Sequence, residues 1–107
     1  MRRHLAAVLA ADIVGYARLM GADEAATLNE LRSLRSKLLG PMVASKRGEI
    51  IKSMGDGWLI VFASALDAVE CAMQVQDRLA NHPTIRLRIG IHVGDIVHEG
   101  EDIFGDG

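Results

Sequence analysis

The 107-residue chain has a single cysteine, Cys71, so it forms no internal disulfide and no multi-cysteine zinc site. That usage fits a reducing compartment. Excess charge of one sign is also missing. Twelve Lys and Arg against fourteen Asp and Glu leave a formal net charge of -2, which argues against a surface built to wrap nucleic acid. No stretch approaches the ~20 apolar residues of a membrane-spanning helix. The nearest imitation of a targeting segment is Met1-Arg2-Arg3-His4 followed by the apolar residues 5–11. That run stops at Asp12, at the short limit of an export signal's apolar region, so a soluble, cytoplasmic chain is expected. Repeats and low-complexity segments are absent. The four histidines (His4, His82, His92, His98) lack metal-ligand spacing, and no Walker phosphate loop or Ser-His-Asp signal is present.

What is there suits one domain. Half the residues are hydrophobic and 24% are charged, enough for a single core at this length. Residues 5–14 form a nearly continuous apolar run that fits a buried helix or a strand covered on both faces, and Gly15 breaks it. A short helical stretch is expected over residues 16–20. Residues 23–39 read as a helix, with Asp23 as N-cap and Leu28, Leu31, Leu34 and Leu38 at helical spacing. Gly40-Pro41 ends or kinks it, and residues 41–46 add an extension. Residues 49–54 and 58–63 read as strands around a turn at Gly55-Asp56-Gly57, since Asp-Gly between apolar runs signals a hairpin. Ser64 caps another helix, with Asp67 three residues on. Its expected inner stripe is Ala65, Val69, Ala72, Met73, Gln76 and Leu79-Ala80, with Cys71 and Met73 as core filling. From 85 to 97, Leu87, Ile89, Ile91 and Val93 alternate with Arg86, Arg88, Gly90 and His92, the pattern of a half-buried strand. The tail from His98 is acidic and glycine-rich. The order strand, helix, strand, strand, helix, strand predicts an α+β domain of ferredoxin-like split βαβ type.

Two carboxylates stand out by position. Asp12 interrupts the most apolar run of the chain, and Asp56 occupies a hairpin tip. In a split βαβ sheet the first strand lies beside the middle hairpin, so the two can converge. Two close carboxylates repel, and a hard cation such as Mg²⁺ or Mn²⁺ relieves this. Cations held by two aspartates serve in-line attack on phosphorus. The plainer readings are a helix N-cap for Asp12 and an ordinary turn residue for Asp56. Residues 13–16 form a turn whose backbone amides suit phosphate oxygens. Lys52, by period two, shares a strand face with Ile50 and Met54; it either reaches the rim or pairs with something specific.

Together these residues reach a family. Ala10-Ala11-Asp12-Ile13-Val14-Gly15-Tyr16 resembles the opening metal motif of class III adenylate/guanylate cyclases. Lys52-Ser53-Met54-Gly55-Asp56-Gly57 resembles their second metal motif. Arg88-Ile89-Gly90-Ile91-His92-Val93-Gly94-Asp95 and Asp102-Ile103-Phe104-Gly105-Asp106-Gly107 match two further segments in order. The resemblance covers essentially the whole chain and implies the N-terminal part of a nucleotidyl cyclase domain over residues 1–107. It implies that Asp12 and Asp56 ligate two ions, Mg²⁺ or Mn²⁺, with help from the Ile13 carbonyl. The amides of Val14, Gly15 and Tyr16 would face the triphosphate, and Lys52 and Asp102 would read adenine. ATP is then the substrate, cyclic AMP and pyrophosphate the products, and signal transduction the role. A homodimer would place its two sites between the protomers. The family pattern continues past the Gly107 position with an Asn and an Arg that act on ribose and phosphate. A polypeptide of these residues alone is therefore expected to be incomplete at its C-terminal end and to lack turnover. A non-catalytic nucleotide-binding or dimerisation module is the alternative.

Overall fold

The computed structural model describes the backbone of residues 2–99 and 102–105, and the side chains of residues 5–95. Strand β1 (Arg2–Ile13) settles the ambiguity of the first apolar run. It lies in the middle of a five-stranded sheet with β2 (Glu49–Met54), β3 (Gly57–Phe62), β4 (Leu87–Glu99) and β5 (Asp102–Gly105). The order is β2-β3-β1-β4-β5, and every neighbouring pair is antiparallel. The first four strands give the expected ferredoxin-like α+β arrangement. Strand β5, from the tail that reads as acidic and glycine-rich, extends it by pairing with the end of β4. Its polar composition hides a strand whose partner is the preceding one.

One face of the sheet is covered by helices. Register pairs Ala11 with Trp58, Leu9 with Ile60 and Ala7 with Phe62, and all six side chains are buried. Burying each large one contributes about 1.5–3 kcal/mol relative to exposure. Helix α1 (Tyr16–Ala22) follows β1, and α2 (Glu24–Leu34) begins where the Asp23 carboxylate accepts the Ala26 N–H at 3.0 Å. Gly40-Pro41 does not end the helical path. A π-turn over Arg35–Leu39 passes it to α3 (Gly40–Ser45), with the Gly40 N–H donating to the Arg35 carbonyl. Pro41 has no N–H to donate and crowds the preceding turn; widening that turn absorbs both problems.

Helix α4 (Ala65–Leu79) starts as the sequence indicates, its Asp67 N–H donating to the Ser64 hydroxyl at 3.2 Å. Its inner stripe differs from the expected one. Ala68, Cys71, Val75 and Leu79 are buried, whereas Val69 is 43% and Met73 67% exposed. The helix lies over β1, β3 and β4, above the fully buried Ala7 and Ala11. Small side chains on both sides permit close approach, so the stripe follows size more than hydrophobicity. Met73 is therefore not core filling. Cys71 is, and burial pushes its thiol pKa up, with Lys46 opposing in part.

Candidate active site

The site begins where β1 meets the β2–β3 hairpin. Asp12 lies directly across from Gly57, and the Ile13 N–H donates to the Asp56 carbonyl at 2.8 Å. Gly57 is required there, because a side chain at that position would run into the Ala11 carbonyl. The missing Cβ lets the hairpin tip close onto the end of β1, and Asp12 and Asp56 come to the same end of the sheet. The chain then leaves β1 through Gly15, at φ 66 in the left-handed region that glycine enters without steric cost. Tyr16 follows, and its hydroxyl lies 3.5 Å from where a Gly55 Cβ would stand. The hairpin tip is thus flanked on one side by β1 and on the other by α1.

Strand register decides which side chains share a face. Trp58, Ile60 and Phe62 point to the helices, so Gly57, Leu59 and Val61 point the other way. The same holds for their partners on β1, which puts Asp12 on the open face with Arg88 across from it on β4. A β-bulge between Ile50 and Lys52 shifts the β2–β3 register, so Ile50 opposes Ile60 and Lys52 opposes Leu59. Period two therefore fails at Ile51. Lys52 joins Met54 and Asp12 on the open face, away from Ile50, a correction to the expected grouping.

The described residues fit a hard cation in part. Asp12 and Asp56 are exposed, and among the described residues neither makes a side-chain hydrogen bond or an ion pair. A strand residue directs its N–H and C=O to the same neighbour, so the Ile13 carbonyl also faces the hairpin. No group of three His, Cys, Asp or Glu side chains gathers there among the described residues. Two carboxylates and a carbonyl leave coordination positions for substrate oxygens, as Mg²⁺ sites commonly do.

Two expected contacts need comment. The Val14 N–H donates to the Arg86 carbonyl at 2.9 Å, so that amide is engaged within the sheet. Tyr16 opens α1, and its N–H is one of those without an intrahelical partner. The backbone of Asp102 begins β5 across from Glu99, and its side chain lies outside the described residues. Strand order sets Lys52 and Asp102 on opposite edges of the sheet. Arg88 is the residue that site reasoning from sequence passed over. Its signal was the polar face of the 85–97 alternation, which register turns toward Asp12.

A βαββαβ core with an added edge strand defines the fold of nucleotidyl cyclase catalytic domains, and the comparisons with known proteins agree. No protein-family model matches the chain. It is 45% identical over 114 residues to "Putative adenylate cyclase 3" of Rhizobium meliloti, covering all of this chain and 19% of that protein. An adenylate cyclase of Streptomyces coelicolor is 33% identical over 96 residues, covering 89% of this chain and 25% of its own length. The crystal structure of an adenylate/guanylate cyclase/hydrolase from Silicibacter pomeroyi superimposes with a TM-score of 0.86 at 44% identity, covering 98% of this chain and 65% of that one. The chain belongs to the class III adenylate/guanylate cyclase family, and its residues correspond to part of the catalytic domain. It spans about a fifth to a quarter of these curated relatives.

Proposed function

We propose that the domain containing these residues converts ATP to 3′,5′-cyclic AMP and pyrophosphate, as a homodimer with a site at each side of its interface. The observation that carries this reading is the pair of uncommitted aspartates, Asp12 and Asp56, joined through the Ile13–Asp56 hydrogen bond. Their carboxylates and the Ile13 carbonyl would hold two ions, Mg²⁺ or Mn²⁺. Bound ions would lower the pKa of the ribose 3′-hydroxyl and neutralise the triphosphate. The Gly15 and Tyr16 amides receive phosphate oxygens in this reading. Lys52 donates to an adenine ring nitrogen, and Asp102 accepts from the exocyclic amine, with the nucleotide reaching Lys52 on the open face. A polypeptide of these 107 residues, without the Asn and Arg positions of the family motif, binds nucleotide in part and turns over little. Each donor to developing phosphate charge is worth ~2.7–4 kcal/mol.

The test compares binding and turnover. Calorimetry with Mn²⁺ and ATP should show binding by the wild-type chain and none by Asp12→Ala or Asp56→Ala. In a polypeptide that includes the Asn and Arg motif, Lys52→Glu and Asp102→Cys, singly and together, should lower ATP use relative to GTP. Equal metal-dependent binding by wild type and both aspartate variants overturns the two-metal site. An unchanged ATP/GTP ratio removes the adenine reading. The second reading is a non-catalytic nucleotide-binding or dimerisation module. Metal-dependent ATP binding without cyclic AMP from the longer polypeptide would establish it.

A further inference from the structure

A concavity lies between α2 with its π-turn and the C-terminal end of α4. Its volume is about 440 Å³, within the range of small-molecule sites. The floor is apolar. Leu34 and Leu79 are buried, and Leu38, from the widened π-turn, is half-buried beside them. At the rim stand Lys37 on one wall and Arg78 on the other, both exposed. Neither makes an ion pair among the described residues.

The acid in the lining is already committed. Glu30 meets the His82 imidazole at 3.2 Å and accepts the Thr84 hydroxyl at 3.2 Å. His82 in turn uses Nδ1 to accept the Thr84 and Ile85 amides at 3.2 and 2.9 Å. Besides the neutral side chains of Asn29 and Ser33, the lining thus offers two cations without an ion pair over a leucine floor. No Phe, Tyr or Trp lines the cavity, so nothing offers a purine the stacking surface that nucleotide sites use. The free charge asks for an anion, and the floor asks for a hydrocarbon body. Arg78 suits a carboxylate, whose two oxygens match the guanidinium fork.

We propose that this cavity binds a small amphipathic anion, a monocarboxylate with a short aliphatic chain, its carboxylate between Lys37 and Arg78 and its chain on Leu34, Leu38 and Leu79. The site does not depend on the cyclase reading, and neither Asp12 nor Asp56 lines it.

The experiment titrates the full isotope-labelled chain, at fixed ionic strength, with sodium hexanoate, 1-hexanol and inorganic phosphate, and follows backbone amide shifts. Hexanoate should give saturable shifts at Leu34, Lys37, Leu38 and Leu79, with 1-hexanol at least about tenfold weaker for want of a charge-assisted contact and phosphate at least about tenfold weaker for want of a chain to bury on the leucines. The exposed double variant Lys37→Gln with Arg78→Gln should lose hexanoate affinity by about tenfold or more and keep its hexanol affinity. Unchanged shifts at Ile60 and Phe62 confirm that the variant is folded. No saturable hexanoate shift overturns the proposal. So does hexanol binding as tightly as hexanoate, which leaves an apolar crevice, and so does phosphate doing the same, which leaves a plain anion patch.

Discussion

Strand β3 and the outer half of β4 carry the same alternation of apolar residues toward the helices, yet they end in different surroundings. Trp58, Ile60 and Phe62 are buried beneath helices, while Ile91 is 36% and Val93 49% exposed. Leu5, on the same face of β1 as the buried Ala7 and Leu9, is 65% exposed, and Met73 on α4 is 67% exposed above Ile91. Helix α4 covers β4 only as far as Ile89, which packs against the core. Periodicity tells which face a strand residue takes. It does not tell how far along the strand a helix reaches.

Three substitutions bear on that difference. The largest effect is expected from Phe62→Ala, which empties a fully enclosed position and should cost about 3–5 kcal/mol in chemical denaturation. A loss under 1 kcal/mol would mean that the covered half is not the stabilising core. Gly57→Ala should come next, at about 2–3 kcal/mol, because the new methyl is forced against the Ala11 carbonyl. It should also loosen the Asp12–Asp56 end, so Mn²⁺-dependent nucleotide binding should fall with stability. Val93→Ser is the smallest, within about 0.5 kcal/mol for an exposed position. Its readout is light scattering. Contiguous exposed apolar surface favours association, and we expect the chain to self-associate at high concentration and Val93→Ser to shift it toward monomer. A wild-type chain that stays monomeric would show that this surface is tolerated in water.

Much of the architecture was legible because local chemistry and tertiary packing agree. Asp23 and Ser64 cap the helices that their side chains suit, and Gly55-Asp56-Gly57 makes the hairpin. The exceptions each have a physical source. The π-turn before Gly40-Pro41 answers a missing donor through backbone widening, which leaves no side-chain pattern. The bulge at Ile51 turns Lys52 to the open face within an otherwise regular apolar run, so parity counting assigns it to the wrong side. The inner stripe of α4 includes Ala68 and Cys71, too small to outweigh Val69 and Met73 in a hydrophobic count. At the candidate site, the approach of Asp12 and Asp56 was readable from topology. The engagement of the Val14 amide by Arg86 was not, because it depends on where β4 begins beside β1.

The Ile13–Asp56 hydrogen bond also makes the site observable. The donor is a single backbone amide, and its proton exchanges with solvent only when the hairpin tip lifts from β1. The exchange rate at Ile13 therefore reports how often the two aspartates separate. Beside it, Val14 donates to Arg86 and reports the opposite edge of β1. Cation binding that holds the hairpin down should slow exchange at Ile13 more than at Val14. The closure of a two-carboxylate site could then be followed at one residue, without a bound nucleotide and without chemical turnover.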